Sequence, residues 1–158
     1  MTRKQDVTII GLEDFRKQLK RLGKCAQEDA LKDAAEAGAR VVEAQAKINI
    51  ESRFSKHSRG GLAGSIIVEV KAKATSAEAK IGPSSVYGRI QELGGTIKPV
   101  RAKLLSWIDP ETGKRHVAKR VTLDARPYLR PALDEHKGEV EEAVKVTIRR
   151  KLDEVSID

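Results

Sequence analysis

With 158 residues, 34% of them charged and 39% hydrophobic, the chain has the length of one compact domain and apolar surface for a modest core. Thirty-one Lys/Arg against 23 Asp/Glu give a formal net charge of +8, and aromatics amount to only 3%, so Ala, Val, Leu and Ile must build the interior. No apolar run approaches the roughly 18 residues of a membrane span, no signal peptide is expected at the N-terminus, and the single cysteine, Cys25, rules out a disulfide framework within the chain and suits a reducing, cytoplasmic compartment.

Residues 6–10 form a short β-prone run that Gly11 ends. A helix is predicted over 12–22, with Leu12, Phe15, Leu19 and Leu22 on one stripe and Gly23 as its stop. A second, longer helix is predicted over 27–50, apolar around more than half its circumference and rich in alanine, which marks it as central. Residues 51–64 lose all periodicity, turn basic and run into glycines, the pattern of a mobile surface loop. Strand alternation follows: Ile66, Val68, Val70 and Ala72 face one way, Glu69, Lys71 and Lys73 the other. After a turn near Thr75-Ser76, Ala77, Ala79 and Ile81 face inward and Glu78 and Lys80 outward, giving a half-exposed antiparallel hairpin.

Gly82-Pro83-Ser84-Ser85 breaks the chain, a short helix spans 86–93, and Gly94-Gly95 closes it. Residues 104–108 and 116–123 read as two arms of one hairpin around the turn 109–113, where proline and glycine suit tight-turn geometry. Arg126-Pro127-Tyr128-Leu129-Arg130-Pro131 is a rigid connector into a last helix over 131–155. That helix carries the clearest stripe, Leu133, His136, Val140, Ala143, Val144, Thr147, Ile148, Leu152 and Val155. At close to 40 Å it is long for so small a domain, so its far end is expected to reach a neighbouring subunit. The predicted class is α+β: a small antiparallel sheet with extended hairpins packed against two long helices, one domain over 1–158, with mobile interaction loops at about 51–64 and 98–120.

The basicity is local. Residues 51–130 carry 16 Lys/Arg against seven Asp/Glu, whereas residues 131–158 carry five against eight. The excess falls on loops and hairpins: Arg53, Lys56 and Arg59, then Lys98, Arg101 and Lys103, then Lys114, Arg115, Lys119 and Arg120. These are candidate electrostatic or DNA-lumen contacts, meeting phosphates without sequence readout. They read equally as solvated charges that keep the chain soluble. No aromatics interleave with them as a single-strand stacking platform requires, and no helix-turn-helix or zinc-finger pattern is present.

Catalysis has little to work with, and no enzyme, metal or cofactor is expected. No nucleophile-elbow glycine pattern surrounds a serine. His57 and His116 lie among cations, while His136 lies on an apolar stripe where a core role fits better than a general base. The run Glu139, Glu141 and Glu142 suits pairing with Lys145 and Arg149. Cys25, just ahead of the long helix, could be favoured as a thiolate by the helix dipole, though an inert thiol is the simpler reading. Gly60-Gly61-Leu62-Ala63-Gly64 lacks the Lys-Ser/Thr and the preceding strand of a phosphate loop.

Tyr87-Gly88-Arg89-Ile90-Gln91-Glu92-Leu93-Gly94-Gly95-Thr96-Ile97-Lys98-Pro99 resembles the tyrosine, acid and Gly-Gly segment of the tail-completion and virion-morphogenesis family of long-tailed bacteriophages. Ala102 to Trp107, Gly113-Lys114-Arg115 and Val117 to Val121 are similar to that family's next hairpin. Ala125-Arg126-Pro127-Tyr128-Leu129-Arg130-Pro131-Ala132-Leu133 is similar to its Arg-Pro-Phe-Leu-Arg-Pro-Ala-Leu signature, and Gly11-Leu12-Glu13-Asp14-Phe15 fits the opening of its first helix. One stretch departs: Ser58-Arg59-Gly60 stands where the family often has Asp-Thr-Gly.

The resemblance implies a structural neck protein of the virion, present in the host cytoplasm during assembly, that finishes the head-proximal end of the tail or joins it to the capsid connector. It implies a ring, often a hexamer, whose partners are a second copy, the head–tail connector or stopper, and the tail terminator or tail tube proteins, with non-specific contact to packaged DNA as an option and no membrane. Trp107 at a hairpin and Tyr128 in the Pro-flanked connector are candidate interface anchors, with Phe54 and Leu62 in the 51–64 loop; ordinary core packing is the alternative for each. A basic DNA-binding accessory protein, or a tail terminator or tube subunit, are the competing functions.

Overall fold

A computed structural model describes residue 17 and residues 24–54, 61–73, 75–109 and 111–155. The β-prone run at 6–10 and the helix expected over 12–22, apart from a helical Lys17, lie outside the described residues, as do Lys56 and Arg59.

The α+β class holds. Helix α1 (Lys24–Arg53, 30 residues) is the central element, about 45 Å long. It packs against the β1–β2 hairpin and against the two helices that close the chain. It begins three residues earlier than its periodicity suggests, so Cys25 belongs to its first turn and does not precede it. It also runs through Glu51, Ser52 and Arg53, the opening of the expected loop, and residues 61–64 are helical too. Tertiary anchoring overrides the polar pattern there: Phe54 donates its N–H to Ile50 and buries its ring, while Asn49 and Arg53 donate to the backbone carbonyls of Tyr128 and Pro127.

One buried acid on α1, Glu43, is held by Lys47 at 2.7 Å and Arg40 at 2.8 Å. The hydrogen bond from Lys47, helped by Arg40, keeps its carboxyl below the usual carboxylate range against the opposing pull of burial.

Strands β1 (Ile66–Lys73) and β2 (Ser76–Pro83) pair antiparallel in a register that puts Val68 opposite Ile81, Val70 opposite Ala79 and Ala72 opposite Ala77 on the helix-facing side. Helix α2 (Val86–Leu93) is capped at its start by the Ser85 side chain. Strand β3 (Gly95–Ile97) then pairs with β6 (Val121–Leu123), and β4 (Leu105–Ile108) pairs with β5 (Arg115–Ala118). The single arm expected over 116–123 is therefore divided at Lys119-Arg120, one half paired outward with β4 and the other inward with β3. The result among the described residues is three two-stranded ribbons in place of one small sheet.

The last helix is also divided. Helix α3 (Leu129–Glu135) ends at His136, with φ −113° and ψ 21°, and α4 (Lys137–Val155) restarts there with Val140 N–H donating to the His136 carbonyl. Gly138, a poor helix former, follows two residues later and favours the break at this point. The far end of α4 packs within the chain: Ile148 and Leu152 are buried with Val144 against Ala30 and Ala34 of α1. Small residues on α1 meet branched ones on α4, and a Cβ at Gly38 would lie only 3.0 Å from a Val144 methyl. Lys151 closes the seam with Asp33 at 2.9 Å.

The larger core cluster joins Val42, Ala46 and Ile50 of α1, and Phe54 just past its end, to Leu62, Ile66, Tyr128, Ala132 and Val140.

Candidate functional site

Where α1 ends, α2 and the connector at 126–130 lock together through polar groups drawn from all three. Tyr128 is fully buried, its ring edge-on to Phe54 at 6.2 Å and 79°. Its hydroxyl donates to the Gly88 carbonyl at 3.1 Å, and its carbonyl accepts from Asn49 at 3.0 Å. Burial, with the nearby Glu92 carboxylate adding to it, pushes the phenol pKa up. Arg126 donates its N–H to the Gln91 carbonyl at 2.7 Å and sets its guanidinium 6.0 Å from the Phe54 ring centroid.

Glu92 completes the lock. Its carboxylate accepts from the backbone N–H groups of Tyr128 at 2.7 Å, Leu129 at 2.9 Å and Arg130 at 3.0 Å. These are the unpaired donors at the start of α3, whose cap residue Tyr128 offers no side-chain cap of its own. The next position is Pro131, which has no N–H to satisfy. A helix that opens Tyr-Leu-Arg-Pro is thus capped in full by a carboxylate from another element.

Two glycines make the approach possible. Gly94, at φ +68°, takes a conformation L side chains rarely adopt, and a Cβ there would fall 2.8 Å from the Ala125 nitrogen. Gly88, inside α2, has no room: a Cβ would lie 2.3 Å from the Pro83 ring and 3.1 Å from the Tyr128 hydroxyl. Alanine is the better helix former by about 1 kcal/mol, yet a rigid proline ring cannot yield over such a distance. Gly88→Ala is expected to destabilise the chain by about 1–3 kcal/mol in urea unfolding, overpacking outweighing propensity; a stabilised variant would show that α2 shifts freely.

Of the four candidate anchors, this geometry places Phe54, Leu62 and Tyr128 in the core, so none of the three offers an exposed contact. Their burial fits the alternative of ordinary core packing, and the partners that bury them come from distant elements. Trp107 alone is exposed, at 42%, with its ring stacked on His116 at 5.4 Å and 18°. Sequence reasoning missed Glu92 and Asn49 as organising residues; the mid-helix Gly88 was the available signal.

The candidate cations divide as well. Arg53 is exposed but holds the Pro127 carbonyl. Lys98, Arg101, Lys103, Lys114, Arg115, Lys119 and Arg120 are all exposed, on or beside the β4–β5 hairpin. Its turn is built by Asp109, whose side chain accepts from Glu111 N–H at 2.9 Å and whose carbonyl accepts from Gly113 at 2.8 Å, with Gly113 at φ +67°. The Glu111 N–H, with the Thr112 side chain, keeps the Asp109 carboxyl below its ordinary range. Arg115 also donates to Ser106 across the strands at 2.9 Å. Among the described residues no group of His, Cys, Asp and Glu could hold a metal, and no helix is long and apolar enough to cross a membrane.

A braced α+β body thus carries an uncovered, cation-rich hairpin. Residues 13–94, just over half of the chain, match the HK97-gp10-like family model, described as "Bacteriophage HK97-gp10, putative tail-component", and the chain belongs to that family of bacteriophage tail components. The matched span covers α1, β1, β2 and α2 and ends at Gly94, ahead of the hairpin. No curated protein and no solved structure matches the chain at a significant level.

Proposed function

We propose that this tail component acts at the neck of the virion, completing the head-proximal end of the tail and joining it to the capsid connector as a ring of identical subunits, with connector or stopper proteins on one side and terminator or tube proteins on the other. The role is structural and needs no cofactor. Membership of the tail-component family carries the reading, and the β4–β5 hairpin, extended from the body with its apolar and cationic side chains uncovered, supports it by offering a surface for neighbours. The cations at 98–120 favour a loose, sequence-independent contact with DNA passing through such a ring as a secondary role.

Electron microscopy of lysates from a phage or induced lysogen with this reading frame silenced tests the proposal. Filled heads and finished-length tails lying unjoined are the expected result. Tails of uncontrolled length would move the role to terminator, and absent tails to the tube. Normal infectious particles would overturn it.

A further inference from the structure

The β4–β5 ribbon is too small to stand alone. Each strand has four residues, and neither packs extensively on any element except its partner, whereas an isolated two-stranded hairpin is marginal in water. The register puts Ser106, Ile108, Arg115 and Val117 on one face. Ile108 is 67% and Val117 59% exposed, a bare apolar pair beside a cation.

The same chain carries a counterpart. On α4, Val140, Val144 and Ile148 point into the core, and Val146 lies opposite them, 52% exposed. Glu142 and Glu139, four and seven residues earlier, share that outward face. Glu141 is engaged with Lys145 at 3.6 Å, but Glu139 and Glu142 form no ion pair among the described residues. Val146, with these two acids on its N-terminal side, thus matches the apolar pair and cation of the ribbon in chemistry and sign, while Arg149 and Arg150 lie beyond it, Arg150 engaged with Glu154 at 3.7 Å.

We infer that the β4–β5 hairpin of one copy docks on the outward face of α4 in the next, Ile108 and Val117 covering Val146 while Arg115 meets Glu142. The two surfaces differ, so the contact is head-to-tail, the kind that builds a ring when its rotation closes. Duplex DNA would engage the cations but leave Ile108 and Val117 wet, which is why a second copy is the better occupant. The inference rests on the ring reading above and specifies its contact.

The test uses full-length chains in a Cys25→Ser background, one population carrying Ile108→Cys and the other Val146→Cys. They are mixed, treated with a short bismaleimide and resolved on denaturing gels, both as purified protein and in particles complemented with both variants. The expected result is a mixed cross-linked dimer exceeding either self-product. Adding Glu142→Arg should lower its yield about tenfold or more, and adding Arg115→Glu to the other population should restore it. A dominant Ile108→Cys self-product, a yield indifferent to the charge reversal, or no mixed product in either sample would overturn the inference. Joined particles lacking the cross-link would remove this contact and leave the neck role standing. Unimpaired particles from the silenced phage would remove the neck role, while the purified chains would still decide the contact.

Discussion

Tyr128→Ala is expected to destabilise the chain by about 3–5 kcal/mol, the range for deleting a large aromatic from a packed interior. The ring is fully buried, meets Phe54 edge-on, and its hydroxyl is tied to Gly88. Tyr128→Phe keeps the ring and leaves only the Gly88 carbonyl short of a donor, so its cost should be near 1 kcal/mol. Urea unfolding of both variants separates the terms; a midpoint lowered with an unchanged slope is expected for each. A loss below about 1 kcal/mol for the alanine variant would show that the connector is not anchored by this ring. The phenol adds a pH signature. Its pKa is raised in the folded chain, so unfolded chains ionise first and stability declines as pH climbs from about 10. Tyr128→Phe should blunt that decline.

The elements most legible in the sequence are those whose pattern arises from one-sided burial. β1 and β2 alternate because one face meets α1, and the residues expected inward, Val68, Val70, Ala79 and Ile81, are the half-buried ones. Helix α1 and the α4 stripe were legible for the same reason. What the pattern could not contain was competition between elements. Residues 116–123 read as one arm because every residue in it tolerates a strand; only the positions of β3 and β4 divide it at Lys119-Arg120. Residues 51–53 read as loop because their helical state depends on Pro127 and Tyr128, more than 70 positions away. Exposure of the hairpin cations was foreseeable, since Lys and Arg are seldom buried unpaired. The burial of Phe54 and Tyr128 stood only as an alternative, because neither lies on a periodic stripe.

Glu92→Ala should destabilise the chain by about 2–4 kcal/mol, since one carboxylate serves three backbone donors and the alanine strands them together. The Tyr128 N–H suffers most, because its residue is sealed from water. Glu92→Gln keeps an acceptor oxygen but loses the charge that suits a helix N-terminus, so an intermediate loss is expected. Hydrogen exchange gives the sharper readout: the amides of Tyr128, Leu129 and Arg130 should lose protection in both variants, while those at the turn end of the β1–β2 hairpin, away from Ile66 and Pro83, should change only as global stability does. Protection retained at the three amides in Glu92→Ala would mean that water or another group caps α3. The two segments that suggested a phage family, Glu92-Leu93-Gly94-Gly95 and Arg126 to Pro131, are on this account halves of one device: Gly94 lets the chain come close, Glu92 caps, and Pro131 asks for no cap. The same device fixes the end of β6 against α2, and with it the base from which the β4–β5 hairpin extends. If the hairpin docks as proposed, loosening Glu92 should also lower the cross-link between Ile108→Cys and Val146→Cys copies, although no residue of the hairpin has otherwise changed.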